Sequence, residues 1–550
     1  MSIARSSFVF AAGTLVSRLS GLLRDMVITH ILGAGPLHDA FVVAQRIPNL
    51  LRDMLAEGAM GSSFTKVYTA LKEQDSDAAD RLLFQMLYLC FLVSLALICT
   101  GIGMASHLVN LMSLGSSPSE LFQQTAVSLT QIFFPSLGMS VIGAVAMGAL
   151  YQKGKFFFNA LIPVLANLGV IAGGLFLGRL IAYLKPDAGL IAGQAEVLGL
   201  AWGTLLGFFL QMAAALLSVR KSIGYLVKEL WASVPWSGNV GSVLRLMGPA
   251  VVATSAAPIN AIINTNFATS VGQGAVTWLT YSFRILQLPI GIFGVAAGVY
   301  ALPALTRAVI QAGKKVDHDV SAQLQQACIF VSWLLVPCMV YALVNHHMII
   351  DFLFRHGHYT VSDVDATGKA LFAYSFSMLA YGLIKVMTAF YYATDRTSFA
   401  MKVSLASIGI NFLGNWFLVD KFGHIGLAFT SSLTLSINAC ILLWGSYRMG
   451  VIWQFHVLRR QAAWMITAAT IFLGLSLLNH AVLGLFESIM GRMWILIGQH
   501  DVTWLSRIQE LGFLIYNGIL VLMVFTLCAM KAYGLGWGDV KRRVPGLSRL

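Results

Sequence analysis

Four arginines, Arg18, Arg24, Arg46 and Arg52, lie inside the first two long apolar stretches of the chain. A cation at the centre of a membrane-spanning helix costs about 2.5–3.5 kcal/mol, so such residues persist where they face a wet or charged interior. Guanidinium forks match carboxylates and phosphates best, because two parallel N–H groups meet two oxygens. The pattern therefore predicts a cationic cavity that accepts an anion. Carboxylates stand nearby. Asp25 follows Arg18 by seven residues, and Asp39, Arg46 and Asp53 recur at intervals of seven, which places them on one helical face. Together with Glu57 these acids would steady the guanidiniums, yet the arginines outnumber them once Arg284 is added. The competing reading, in which the charges only pair with one another and glue helices together, requires acids for every base.

The elements that must position these residues are membrane helices. The chain is 57% hydrophobic and 11% charged, with a mean hydropathy of +0.77, against about 25% charged residues in soluble domains. A soluble fold of 550 residues cannot bury that much apolar surface. Apolar runs of about 20 residues predict fourteen spans, at 8–33, 38–65, 82–110, 124–150, 156–183, 189–218, 244–269, 274–303, 321–345, 367–392, 399–419, 424–447, 462–480 and 510–532. An even number puts both termini on one side. Twenty-three basic residues fall in segments on that side and seven in the opposite loops, so the positive-inside rule places both termini in the cytoplasm. The net charge of +13 belongs to these scattered loops and not to a nucleic-acid-binding face. The first apolar run carries Arg18, Arg24 and Asp25 and does not read as a cleavable signal. Six cysteines, all in apolar stretches and without metal-type spacing, read as inert core thiols.

An internal echo points to two lobes. Gly33, Ala34 and Gly35 form a turn ahead of a helix bearing Arg46. Gly272 and Gly274 form a similar turn ahead of a helix bearing Arg284 at nearly the same offset. The fold class is thus an all-α polytopic membrane protein, with two six-helix lobes, 1–232 and 233–455, around a central cationic cavity. Residues 456–550 supply two further helices and a basic cytoplasmic tail. Prolines at mid-span (Pro48, Pro135, Pro163, Pro258, Pro289, Pro337) predict kinks or breaks. Gly199, Gly203 and Gly207, every four residues, predict a close helix crossing. Helical rise puts Arg18 roughly 15 Å into the first span, near mid-bilayer, with Arg52 at a similar depth on the return.

Ser17 to Asp25 (SRLSGLLRD), Gly33 to Phe41 (GAGPLHDAF) and Arg46 to Ala59 (RIPNLLRDMLAEGA) resemble the opening of the lipid II flippase family, MurJ (MviN). Further likeness lies in GPAVVATSAAPINAIINTNFA, LPIGIFGVAAGVYALPAL and Tyr392 to Ser398 (YATDRTS), and it fades after about residue 450. The resemblance implies an exporter of the multidrug/oligosaccharidyl-lipid/polysaccharide superfamily. Such a protein carries lipid II, an undecaprenyl-pyrophosphate-linked disaccharide-pentapeptide, from the inner to the outer leaflet of the bacterial inner membrane. It implies that Arg18, Arg24, Asp39, Arg52 and Arg284 line the substrate cavity, with Asp25, Arg46, Glu57 and Lys385 as supporting charges. It also implies cell-wall synthesis or division proteins as partners, and a groove for the lipid tail at the last two helices. Lys66, Phe283 and Ser398 depart from the family pattern, and Phe283 removes a possible acidic partner of Arg284.

Alternating access would place the outer gate at Gly33–Gly35 and Gly272–Gly274. No nucleotide-binding loop, nucleophile elbow or zinc-protease motif occurs, so no enzyme and no cofactor is expected. The energy source is left open between membrane potential and a monovalent cation gradient. Asn260, Asn264, Asn266, Asn411 and Asn415 are candidate cation ligands, though interhelical hydrogen bonding explains them more simply. His346, His347, His356 and His358 crowd one outer loop without zinc-ligand spacing. Two other functions compete: a flippase for another polyprenyl-pyrophosphate oligosaccharide, and a cation antiporter, which would want an acidic pocket. The segment 484–508 reads either as an interfacial helix or as a loop.

Overall fold

A computed structural model of the chain describes residues 3–114, 119–152, 156–184, 193–223, 238–313, 316–497 and 503–533, and every regular element among them is helical. That is the form a lipid environment demands, since a helix satisfies its own N–H and C=O groups without water. Helix α1 (Ile3–Leu32) stops at Gly33, and α2 (Pro36–Arg52) opens on a proline whose missing N–H has no partner to lose there. A π-turn at Asp53–Met60 carries α2 into α3 (Gly61–Gln74). Asp75 caps α4 (Ser76–Gly103): the N–H groups of Ala78 and Asp77 donate to its carboxylate and hold its pKa below the ordinary value. There follow α5 (Ala105–Met112), α6 (Glu120–Gln152), α7 (Phe156–Ala172), α8 (Gly178–Leu184) and α9 (Gln194–Ile223). After these come α10 (Gly238–Thr254), α11 (Ala256–Val271), α12 (Ala275–Pro289) and α13 (Val295–Gln311). The chain then forms α14 (His318–Phe354), α15 (Val361–Ser375), α16 (Ser377–Ala393), α17 (Thr397–Arg448), α18 (Phe455–Ile497) and α19 (Thr503–Tyr533).

Each expected span falls on helix within the described residues. Among the described residues, eight helices are long and apolar enough to cross a membrane, or nine if α15 and α16, bent by 41°, form one span. The rest of the expected fourteen lies in α1, which carries Arg18, Arg24 and Asp25, in the broken pairs α2–α3, α10–α11 and α12–α13, and in α17. Gly423, at φ 54°, folds α17 back on itself so that Gly414 packs against Thr430. The breaks follow local chemistry. Pro48 precedes the π-turn after α2, and Pro289 directly precedes a π-turn at Ile290–Gly294.

Packing divides the chain into two compact units, Met1–Thr280 with Phe354–Asp363, and Tyr281–Leu353 with Val364–Leu550. The lobes expected at 1–232 and 233–455 follow helix order; packing places α10, α11 and the start of α12 in the first unit. Its core joins α1, α2, α6, α7 and α9 through Ile28, Phe41, Leu129, Phe133, Val170 and Leu200. Phe41 meets Phe133 edge to face at 5.4 Å. Gly199, Gly203 and Gly207 lie directly against Gly169, Gly173 and Gly178, and a Cβ on Gly207 would stand 2.6 Å from the Ala166 carbonyl oxygen. The glycine stripe is a backbone-on-backbone crossing of α7 and α9.

In the second unit the last two helices dock on α14. Val336, Val340, Ala468, Phe472, Val521 and Phe525 form the apolar contact. A polar ladder runs beside it: Trp333 Nε1 donates to Gln461 (2.8 Å), Asn517 Nδ2 to Asn345 Oδ1 (2.9 Å), and Arg507 to Asp351 (3.1 Å). Asn345 sits at a kink (φ −106°, ψ 16°), and its Nδ2 donates to the Tyr341 carbonyl. Residues up to Ile497 continue α18, so the part of 484–508 that precedes the gap at 498–502 is helical; the side chains of 480–506 and the basic tail, 534–550, lie outside the described residues. Cys90, Cys328 and Cys528 are buried as expected for core thiols, whereas Cys99 and Cys440 are exposed, on helices that cross lipid.

Because the α7–α9 crossing leaves no room for a side chain, Gly203→Val is expected to lower membrane abundance and thermal stability sharply, overpacking alone costing about 1–3 kcal/mol. Fluorescence-detected size exclusion after heating measures it; an unchanged melting profile would show that the crossing yields.

Candidate functional site

The sequence marks guanidiniums, and the fold shows what holds each of them. Arg24 on α1 is half-buried and donates through Nε (3.0 Å) and Nη2 (2.7 Å) to Asp25 Oδ1. Its Nη1 donates to Asn167 Oδ1 on α7 at 3.0 Å. Asp25 is itself 1% exposed, so its charge is neutralised by the adjacent guanidinium. The sevenfold spacing put Asp25 on the face of Arg18; the adjacent Arg24 wraps its long side chain back onto the same acid. Arg18 is half-buried on the same helix. Arg52, at the end of α2, pairs with Asp53 (2.9 Å) and lies 5.9 Å from the centroid of the Phe208 ring on α9. This is again a pair of sequence neighbours, and the π-turn that begins at Asp53 changes the helical register beyond it. The side chain of Glu57 lies outside the described residues.

Arg46 serves a different purpose. Its Nη1 donates to Thr265 Oγ1 and its Nη2 to Thr280 Oγ1 (3.1 Å), joining α2 to α11 and α12. Asp39, expected among the cavity charges, is 4% exposed and fully engaged elsewhere. It accepts from the N–H of Gly274 (2.6 Å), the N–H of Thr277 (2.9 Å) and the hydroxyl of Thr277 (2.6 Å). These are the first amides of α12, so a carboxylate from α2 caps the positive end of a helix more than two hundred residues away in sequence.

The two glycine turns therefore meet through Asp39. Gly33 (φ 63°) and Gly274 (φ 89°) adopt left-handed backbone that glycine tolerates best. Gly35 is extended and makes no such demand. His38, fully buried, bonds through Nδ1 to the Gly33 carbonyl. A third strand of chain, Phe354–Asp363, completes the cluster. His358 donates its backbone N–H to the His30 carbonyl and its ring Nδ1 to the Ile31 carbonyl, both at 3.1 Å. Trp278 Nε1 donates to Asp363 Oδ1 (3.1 Å), and the Asp363 Oδ2 accepts from Thr360 (2.7 Å). Sequence reasoning found the glycines and missed the strap; the histidines set aside as incidental include the one that holds it.

In the second unit, Arg284 is half-buried on α12 and its neighbour Phe283 packs on Tyr374 at 5.4 Å. Lys385 on α16 lies 5.7 Å from the Tyr381 ring centroid. Asn415 donates to Asn411 (3.2 Å), and Asn438 donates to Ser407 across the α17 fold (2.8 Å). In the first unit Asn266 donates to the Leu111 carbonyl. The Asn438 and Asn266 bonds link separate helical segments, whereas the Asn415–Asn411 bond runs along one helix. Among the described residues no three His, Cys, Asp or Glu side chains gather as a metal site.

Fold and charge together define a multi-pass helical membrane protein with guanidiniums held inside its bundle. The family described as lipid II flippase MurJ matches residues 28–498. The chain belongs to the lipid II flippase MurJ family. A Burkholderia cenocepacia relative named lipid II flippase MurJ is 30% identical over 454 residues, spanning 82% of this chain and 85% of the relative. One from Vibrio cholerae, named "Probable lipid II flippase MurJ", is 30% identical over 538 residues, spanning 96% and 97%. Of solved structures, a lipid II flippase MurJ in an inward closed conformation matches with a TM-score of 0.72 at 22% identity, covering 96% of this chain and 99% of that one. An inward-facing multidrug transporter of the MATE family, in the MOP superfamily, matches at 0.65 with 14% identity, covering 80% and 98%. The structural matches show the shared fold.

The differing surroundings of the arginines separate their roles. Arg46→Ala leaves two threonine hydroxyls without their donor and is expected to lower thermal stability by roughly 1–3 kcal/mol, whereas Arg24→Ala combined with Asp25→Asn, which strands no buried carboxylate, should leave abundance near wild type. Equal abundance and melting temperature for the two variants would contradict that division.

Proposed function

We propose that this protein is a flippase that carries lipid II across the bacterial cytoplasmic membrane, from the inner to the outer leaflet, by alternating access. The observation that carries the reading is family membership over most of the chain together with arginines held at membrane depth. It is a transporter: the chemistry required is recognition and release, not bond making. Pyrophosphate offers paired anionic oxygens, and a guanidinium fork meets two of them at once, which a lysine point charge does not. Arg18, Arg24 and Arg52 are the proposed contacts, with Arg284 as the expected fourth. The polar sugar and peptide need a wet path, and the prenyl tail stays in lipid. Fourteen crossings with both termini in the cytoplasm follow from the bias of basic residues.

The same charges suit another polyprenyl-pyrophosphate sugar; the relatives' names favour lipid II. A cation antiporter is disfavoured, since a basic site repels its substrate. Membrane potential or a monovalent cation gradient supplies the drive in this reading, one charge moved through 100 mV being worth about 2.3 kcal/mol. Cell-wall synthesis or division proteins are its natural neighbours, since they consume lipid II on the outer side.

The outer gate in this reading is the cluster at Gly33–Gly35 and Gly272–Gly274, closed by Asp39 on the start of α12 and laced by the Phe354–Asp363 strap. Asp39 then acts at the gate, its oxygens already taken by Gly274 and Thr277.

Expression of the gene in a strain depleted of its own lipid II flippase should restore growth. Arg24→Ala with Arg284→Ala, inserted at normal abundance, should abolish rescue; full rescue by that double variant would remove the anion site. Oxidative cross-linking of His30→Cys to His358→Cys should arrest lipid II translocation until reductant is added. Undiminished translocation by the cross-linked protein would show that the strap need not release.

A further inference from the structure

We infer that Asn167 is a positioning residue that aims Arg24 at a phosphate group of the substrate; this rests on the reading of Arg24 as an anion contact. Asn167 projects from α7 in an otherwise apolar run, between Leu165, Ala166, Leu168 and Gly169, and is 8% exposed. Nothing in the local sequence calls for an amide there. The fold gives it three partners on α1: Oδ1 accepts from Arg24 Nη1 at 3.0 Å, while Nδ2 donates to Ser20 Oγ at 2.8 Å and to the Ser17 carbonyl at 3.4 Å. The orientation of the amide is set by chemistry. The guanidinium can only donate and the Ser17 carbonyl can only accept, so the oxygen must face Arg24 and the nitrogen must face Ser17.

The consequence lies in how the five N–H donors of Arg24 are shared out. Asp25 takes Nε and one hydrogen of Nη2, and Asn167 takes one hydrogen of Nη1. Among the described residues this leaves one N–H on each terminal nitrogen, two charge-assisted donors for phosphate oxygens. Two clamps from different helices fix the plane of the guanidinium, which a single neighbouring carboxylate cannot do. The second clamp is neutral, and this matters. Asp25 already balances one positive charge; an acid at 167 would hold Arg24 equally well but add a negative charge at the place an anion must enter. An amide fixes the geometry and leaves the potential unchanged.

The test uses full-length protein in nanodiscs, with undecaprenyl pyrophosphate and lipid II as separate titrants and thermal stability measured in parallel. Loss of a hydrogen bond to a charged group is worth roughly tenfold at its lower end. Asn167→Leu is therefore expected to bind both titrants about tenfold more weakly at near-normal abundance. Asn167→Asp keeps the acceptor for Arg24 and gives up the long bond to the Ser17 carbonyl (3.4 Å), so it is expected to stay near wild-type abundance yet to bind more weakly still. A purely structural role predicts the opposite for Asn167→Asp, with stability and binding retained together. If Asn167→Leu folds poorly, the Asn167→Asp measurement decides alone. Wild-type affinity in Asn167→Asp, with binding lost in Arg24→Ala, would overturn the role of Asn167 and keep Arg24 as the contact. Wild-type affinity in Arg24→Ala itself would instead overturn the reading on which the inference rests.

Discussion

A charge held at membrane depth must be answered by the protein, because lipid answers nothing and each unpartnered ion costs several kcal/mol. In the first unit, the described contacts of Arg24, Arg46, Arg52 and Asp39 follow from this requirement. Arg24 is answered by an adjacent carboxylate and a distant amide, Arg52 by Asp53 and an aromatic face, and Arg46 by two hydroxyls on other helices. Asp39 is answered by the amides that open a helix. Each solution ties helices together, and each fixes how much charge is left over. Arg46 and Asp39 are consumed in joining α2 to α11 and α12. Arg24 keeps N–H groups that its described contacts do not take, and in the proposed function these meet the ligand.

The irregular backbone serves the same end. Asp39 and Arg46, seven residues apart and ahead of the proline at 48, both turn to α12; the π-turn beginning at Asp53 gives that acid to Arg52. Glycine permits the opposite extreme, in which side chains vanish and α7 meets α9 backbone to backbone. That close crossing forms the scaffold from which Asn167 reaches α1. A rigid crossing on one side and a polar reach on the other make α7 a support for the charged helix.

The second unit is organised around α14 and the terminal pair. The kink falls at Asn345, whose side chain donates to the Tyr341 carbonyl while accepting from Asn517. Kink and docking are thereby one feature. With the apolar contact around Phe472 and Phe525, it makes α18 and α19 a packed part of this unit and not an appendage.

Much of this was legible in the sequence. Apolar length predicted the helices, because the bilayer sets span length whatever the fold. The arginines announced that charge would lie among the helices and need partners there, because the cost of a cation in lipid is independent of detail. The glycine turns and the α7–α9 stripe could be read because glycine's uses are few. The partners could not be read. Periodicity reports which face of a helix is buried, but not which helix buries it. Thr265 and Thr280 for Arg46, Gly274 for Asp39, Asn167 for Arg24 and Asp363 for Trp278 are all long-range. They depend on neighbours brought within 3 Å or so by packing and on register shifts at π-turns, neither of which leaves a local mark. The sequence alone determined that this chain crosses a membrane and carries guanidiniums into it; only the tertiary structure decided which hydroxyl, amide or carboxylate each of those charges meets, because packing and not local spacing brings them together.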